Sequence, residues 1–294
     1  MDYNNFDYEK LTQVFTGLDE RYANVFSFGK SVQGRELWCA GIGGGEKKVF
    51  LNGAHHSLEW ITASLLANWC ADYVDAIKSG GDIGGVNARR LYSKCTYYIA
   101  PMINPDGVEL VVNGLNPNNP AFESVTELLD GQDVDKVWQA NINGVDLNHN
   151  YDALFYEYVE IARRAGYGKP GPRRYPGVAP FDQPETEAVR KLVLEEEFPF
   201  SIAFHSQGEV IYWSFEDKGF VDIGRELADA SGYSLDTATG ISSYSGFKDW
   251  YLDKFNLPSF TVEVGMGTNP LPFEQFESIK EACYPMIARC AELV

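Results

Sequence analysis

"NGAHHSLEWIT", residues 52–62, closes a strand-like run and opens a helical one. Upstream, "KKVFLNGA" (47–54) is rich in apolar residues, as a strand covered on both faces would be. Downstream, Trp60, Ile61, Leu65, Trp69, Tyr73 and Ile77 trace one helical stripe that stops at "SGGDIGG". The alternation continues along the chain. Further strand-like runs are "ELWCAGIG" (36–43), "KCTYYIAPM" (94–102), "PFSIAFH" (199–205), "EVIYW" (209–213) and "PSFTVEVG" (258–265). Helical patterning recurs near 183–196, 217–231, 246–256 and 273–293. Such a series specifies an α/β protein with a mixed, largely parallel sheet flanked by helices. Two stretches, "NGLNPNNPAFESV" (113–125) and "GYGKPGPRRYPG" (166–177), read as long loops of the kind that carry function.

At 294 residues, with 45% hydrophobic and 22% charged residues, the chain reads as one globular domain, 1–294. A net charge of −18 repels nucleic-acid backbones and anionic membrane surfaces, so neither is an expected partner. No run approaches the ~18 apolar residues of a membrane span. The five cysteines, Cys39, Cys70, Cys95, Cys283 and Cys290, lie within apolar patterns without a CxxC pair. They read as buried free thiols. With an N-terminus, "MDYNNFDYEK", that lacks a secretory pattern, they point to the cytoplasm, the alternative being export by a signal since removed.

The opening stretch also contains HxxE, a pattern common by chance and equally at home at the start of a helix. As metal ligands, His56 and Glu59 would share one side of a helical turn. A catalytic zinc then needs a third ligand. Of the four histidines, at 55, 56, 149 and 205, only His205 ends a clean strand. His₂Glu with an open position is a catalytic zinc set. Glu263 interrupts the apolar "SFTVEVG". Alone it reads equally as an edge-strand glutamate facing water or as a general base compensated by a metal.

"GAHHSLEWIT", "MINPDG", "NGVDLNHNYDA", "FHSQG" and "GFKDW…FTVEVG" occur in the order and roughly the spacing of the zinc carboxypeptidase A family, which the chain resembles from about residue 30 to 290. The resemblance implies an eight-stranded mixed sheet and one Zn2+ per chain held by His56, Glu59 and His205. It makes Glu263 the general base and Asp146 the carboxylate that accepts a hydrogen bond from His56. His55 becomes a packed neighbour of the ligand, and Tyr244 the candidate for the family's mobile tyrosine.

Two departures bear on substrate. Where digestive members place an oxyanion-binding arginine after a tryptophan, this chain has Gln139, with Arg173 and Arg174 in the second long loop as alternative cations. Where they read "NRN" and clamp a terminal carboxylate, this chain reads "NHN": Asn148 persists, but His149 cannot make arginine's two-pronged contact. In "GFKDW", Lys248 takes the position that lines the floor of the family's specificity pocket, where a cation favours a carboxylate. Asp249 beside it would meet an amine or support the loop. Read without the resemblance, Lys248 is equally an exposed lysine on an amphipathic helix.

A side chain bearing both an amine and a carboxylate is meso-diaminopimelate, and these motif variants resemble the branch that hydrolyses the γ-D-glutamyl to diaminopimelate bond of peptidoglycan peptides. The alternatives are a carboxypeptidase or deglutamylase removing acidic C-terminal residues, and an inactive cell-wall-binding module with the same fold.

Overall fold

The computed structural model describes residues 1–294, the side chain of Ser242 excepted. Eight strands form one sheet: β1 (Ala23–Lys30), β2 (Glu36–Gly43), β3 (Lys47–Gly53), β4 (Cys95–Ala100), β5 (Ser201–His205), β6 (Val210–Tyr212), β7 (Ser234–Asp236) and β8 (Ser259–Glu263). Their spatial order is β1-β2-β4-β3-β5-β8-β6-β7. β4, β3, β5 and β8 run parallel to one another, as β7 does to β6, while β1-β2, β2-β4 and β8-β6 are antiparallel.

The period-two alternation of each central strand feeds two separate cores. Val49 and Leu51 of β3, Tyr97 and Ile99 of β4, Ile202 and Phe204 of β5, and Phe260 and Val262 of β8 face one of them. Helices Trp60–Ser79, Val221–Ser231 and Phe276–Leu293 cover that side. Phe50, Ala100 and Ala203 face the other, under helices Pro184–Glu196 and Phe247–Phe255. All five cysteines are buried and unbridged. Among the described residues no helix is long and apolar enough to cross a membrane.

The structure differs from the sequence reading at the sheet's edges and in the loops. β1 is an edge strand whose side chains alternate only loosely between buried and exposed, so it carries no continuous apolar run. β7, at the other edge, is three residues long. Residues 113–125 are not wholly loop: Phe122 begins a helix to Leu129, with Val125 and Leu129 buried. The helix expected from 217 starts at Val221, because Ser214–Phe215 and Lys218–Gly219 pair as a hairpin around Glu216, whose φ is +51°.

Candidate active site

β3, β5 and β8 lie side by side in the sheet and run parallel, so their C-terminal ends open on one edge, the usual ligand crevice of such sheets. The chain leaves β3 through Ala54, held at φ +48°. An alanine in that region is strained, and its contacts hold it there. Its N–H donates to Thr62 Oγ1 (2.9 Å), and its carbonyl accepts from the Asn104 N–H (3.1 Å). Thr62 also donates to the Glu59 carbonyl (2.8 Å), tying the strand end to the one-turn 3-10 helix Ser57–Glu59. Gly53 permits the close approach, since a Cβ there would stand 3.0 Å from Thr62 Oγ1. Asn104, from "MINPDG", donates its amide to the carbonyls of His55 (3.1 Å) and Ala140 (3.0 Å).

This scaffold points His56 and Glu59 at His205, the last residue of β5. His56 Nδ1 lies 2.8 Å from Glu59 Oε1, and His205 Nδ1 lies 2.9 Å from Glu59 Oε2. One candidate ligand atom from each of the three lies within 4.8 Å of the other two. Glu59 and His205 are buried, 3% and 1% exposed, where an unmatched charge is costly. Burial opposes the charge on both His56 and Glu59, yet the pair sustains it. Glu59 and Asp146 hold the imidazole of His56 well above its ordinary range, and the two histidines hold Glu59 down to about 2. Two imidazole nitrogens and a carboxylate converging on one point suit a divalent cation, which would take the place of the proton on His56. These residues fit zinc.

Asp146 completes the setting. Its Oδ1 accepts from His56 Nε2 (3.0 Å), which leaves Nδ1 to face Glu59, and its Oδ2 accepts from the Arg174 N–H (2.8 Å). Burial opposes its charge, but His56 and His149 hold its carboxyl far below the usual range. His55 is a neighbour of the cluster, not a member. It lies 5.6 Å from the His205 ring in a stacked pair, and its Nε2 is 2.8 Å from the Tyr151 hydroxyl.

Glu263 ends β8 directly opposite His205 in the parallel register. β8 lies between β5 and β6, which removes the edge-strand reading. The carboxylate has no hydrogen-bond partner among the described residues. Burial, with the nearby charge of Glu59, raises its pKa well above the ordinary range.

Of the remaining expected residues, Gln139 and Arg173 line one cleft and Tyr244 and Asp249 another. One, of about 330 Å³, is lined by Gln139, Arg173, Lys136, Ser206, Gln207 and Asn269 among others. Ser206 donates its N–H to Glu59 Oε2 (3.2 Å), and the Asn269 amide reaches Glu59 Oε1 (3.5 Å), so this cleft abuts the cluster. Arg174 is turned away, its guanidinium over the Tyr167 ring. The other cleft, of about 410 Å³, is lined by Ser214, Glu216, Thr237, Thr239, Tyr244 and Asp249 among others. Lys248 is not an exposed helix lysine: it is 4% exposed, its ammonium donating to the Ser214 carbonyl (2.6 Å) and paired with Asp249. Asp249 is the member of that pair that lines the cleft. His149 donates Nδ1 to the Tyr244 carbonyl (2.8 Å) and stacks on Tyr158 with ring centres 4.1 Å apart. Burial lowers its pKa, against the opposing pull of Asp146. Asn148 Oδ1 accepts from the Phe247 N–H (3.1 Å), leaving its amide nitrogen to meet a ligand.

Sequence reasoning missed Asn269 and Ser206, which buttress Glu59, and Tyr151, which holds His55. Asn269 lies in "GMGTNP", where no local pattern separates it from a turn asparagine. Tyr151, directly after "NHN", lay within reach of a motif reading.

The model of the family described as zinc carboxypeptidase matches residues 8–285. Among curated proteins, a γ-D-glutamyl-L-diamino acid endopeptidase 1 of Lysinibacillus sphaericus is 35% identical over 280 residues, spanning 94% of this chain and 69% of the relative. Murein peptide amidase A of Escherichia coli K12 is 30% identical over 129 residues, 42% of this chain and 50% of that protein. Among solved structures, thrombin activatable fibrinolysis inhibitor superposes with a TM-score of 0.74 at 15% identity, covering 98% of this chain and 72% of the other; that likeness is one of fold.

Proposed function

Because the chain belongs to the zinc carboxypeptidase family, and is thereby a zinc metallopeptidase, we propose that it hydrolyses the amide bond between a γ-D-glutamyl residue and meso-diaminopimelate in peptidoglycan-derived peptides. Residues 1–294 act in this reading as one peptidase domain. The observation that carries it is the cleft beside Tyr244, lined by Asp249 and Glu216 with no cation among its lining residues, which suits the ammonium of a diamino acid. The likeness to an enzyme named for a γ-D-glutamyl-L-diamino acid bond supports the same choice.

His56, Glu59 and His205 would hold the zinc, which when bound supplies a Lewis acid that polarises a carbonyl and makes water more acidic, toward a pKa of ~7. Every other part is played by side chains. Asp146 fixes the His56 ring by accepting from Nε2, so that Nδ1 points inward. Glu263, opposite His205, takes a proton from the attacking water and returns it to the departing amine. Gln139 donates to the developing oxyanion from the cleft that abuts Glu59. A neutral amide there replaces the digestive enzymes' cation with a weaker donor.

On the leaving side, Asp249 meets the ammonium, and the amide of Asn148 meets a carboxylate of the same residue. Lys248 neutralises part of the charge of Asp249 from behind, and His149 positions the Tyr244 loop through its bond to the Tyr244 carbonyl. Tyr244, whose phenol lacks a partner among the described residues, closes over the substrate.

The test is a mass-spectrometric assay of L-Ala-γ-D-Glu-diaminopimelate and of ordinary L-peptides ending in glutamate, each with and without chelator. Chelator-sensitive release of diaminopimelate supports the proposal. Release of glutamate from the L-peptides alone would favour a deglutamylase, and zinc binding without hydrolysis of either an inactive binding module.

A further inference from the structure

Arg173 lies in a long loop, yet its backbone is fixed on both sides. The carbonyl of Pro172 accepts from the N–H groups of Gln139 (2.7 Å) and Ala140 (2.9 Å). The N–H of Arg174 donates to Asp146, which in turn holds His56. Arg173 therefore stands at a set place relative to the metal-binding cluster, between the segment that carries Gln139 and the carboxylate bound to a ligand histidine.

Its side chain is exposed and makes no ion pair among the described residues. Arg173 borders two clefts: one holds Glu127 and Asp130, whereas the one that abuts Glu59 contains a second cation, Lys136, whose charge is paired with Asp133, and otherwise neutral groups, with no carboxylate among its lining residues. In a chain of net charge −18 such a cleft is an electrostatic exception, and it attracts anions. The cleft beside Tyr244 has the opposite sign, from Glu216 and from Asp249, whose charge Lys248 offsets in part. The two clefts thus give the site a polarity.

We infer that Arg173 binds a free carboxylate on the acyl side of the scissile bond, namely the α-carboxylate that a γ-linkage leaves on the glutamyl residue. This rests on the bond assignment proposed above and extends it to the other half of the substrate. When glutamate is joined through its side-chain carbonyl, its α-carboxylate stays ionised a short carbon chain away from the reacting carbon. The planar guanidinium can grip both carboxylate oxygens at once, which a lysine or an amide cannot.

Amidation of that carboxylate, which turns γ-D-glutamate into γ-D-isoglutamine, removes the charge while preserving shape. kcat/KM is measured for L-Ala-γ-D-Glu-diaminopimelate and L-Ala-γ-D-isoGln-diaminopimelate with the parent protein, Arg173→Ala and Arg173→Lys, alongside zinc content. The parent is expected to prefer the carboxylate by roughly 10- to 100-fold. Arg173→Ala should bring the carboxylate substrate down to the level of the amide, leave the amide substrate nearly unchanged and keep its zinc, with Arg173→Lys between the two. Equal loss on both substrates would assign Arg173 to the shared carbonyl or to the fold, and overturn the inference. A parent enzyme indifferent to amidation overturns it as well while leaving the bond assignment standing. Cleavage of neither substrate removes the bond assignment, and the inference with it.

Discussion

Glu263 and His205 occupy the same rung of two adjacent parallel strands, so a candidate ligand imidazole and an unpartnered carboxylate leave the sheet together. Strand ends fix that relationship more firmly than loops could. Burial and the charge of Glu59 raise the pKa of that carboxylate, so a cation bound beside Glu59 would favour its ionised form. Glu263→Gln keeps the shape, removes the proposed base and leaves His56, Glu59 and His205 in place. It should bind zinc at the parent's stoichiometry and lose roughly 10²- to 10⁴-fold in kcat. Metal analysis with a turnover assay checks this; substantial residual turnover would remove Glu263 from the role of base.

Asp146 acts one bond further out. Its two oxygens are divided between His56 Nε2 and the Arg174 N–H, so it sets the His56 ring and anchors the long loop at once. Asp146→Ala should weaken zinc affinity by roughly 10- to 100-fold, the usual consequence of losing the acceptor behind a ligand histidine. Competition against a colorimetric zinc chelator measures it. An unchanged affinity would mean that His56 holds its orientation by packing alone.

The central sheet and the convergence of His56, Glu59 and His205 were legible because their signals are local and strong. β3, β5 and β8 are short apolar runs buried on both sides, and His56 and Glu59 share one turn. The edges were not. β1 pairs on one side only and β7 has three residues, so neither needs an uninterrupted apolar pattern. The site showed the same divide. Asp146 was found through its motif, whereas Asn269 meets Glu59 across a sequence separation of 210 residues that no local pattern records. Lys248 was expected on the floor of a pocket, but it does not line the cleft: its ammonium is turned onto the Ser214 carbonyl and Asp249 lines the cleft in its stead, an arrangement no sequence records.

That Lys248 and Asp249 pair is almost fully buried, at 4% exposure for each side chain. Removing one member strands the other's charge, a loss of about 3–5 kcal/mol, while replacing both by apolar groups of similar size often costs little. Asp249→Ala should therefore lower the unfolding free energy by several kcal/mol, and the double variant Lys248→Met, Asp249→Ala should recover most of it. Denaturant melts of the parent, both single variants and the double variant form the required cycle. Additive losses would show that the two side chains contribute independently.

Glu185 provides a pH signature separate from the active site. It lies in the first turn of the helix Pro184–Glu196, is fully buried, and accepts hydrogen bonds from the Val32 N–H (3.0 Å) and the Asn141 amide (3.3 Å) without a cationic partner. Burial chiefly, with the charge of Asp106, raises its pKa from 4.5 to about 7. A carboxyl whose folded pKa is raised stabilises the fold fully below its unfolded value and loses that contribution as pH climbs through the folded one. The window is therefore pH 4.5 to about 7, and the interval corresponds to about 3 kcal/mol. Glu185→Gln keeps an oxygen for Val32 and never ionises. Relative to the parent, it should gain about 2 kcal/mol of stability between pH 5 and pH 8. Urea melts at the two pH values measure the difference, and a gap that stays constant between them would mean that Glu185 does not ionise in the folded chain over this range.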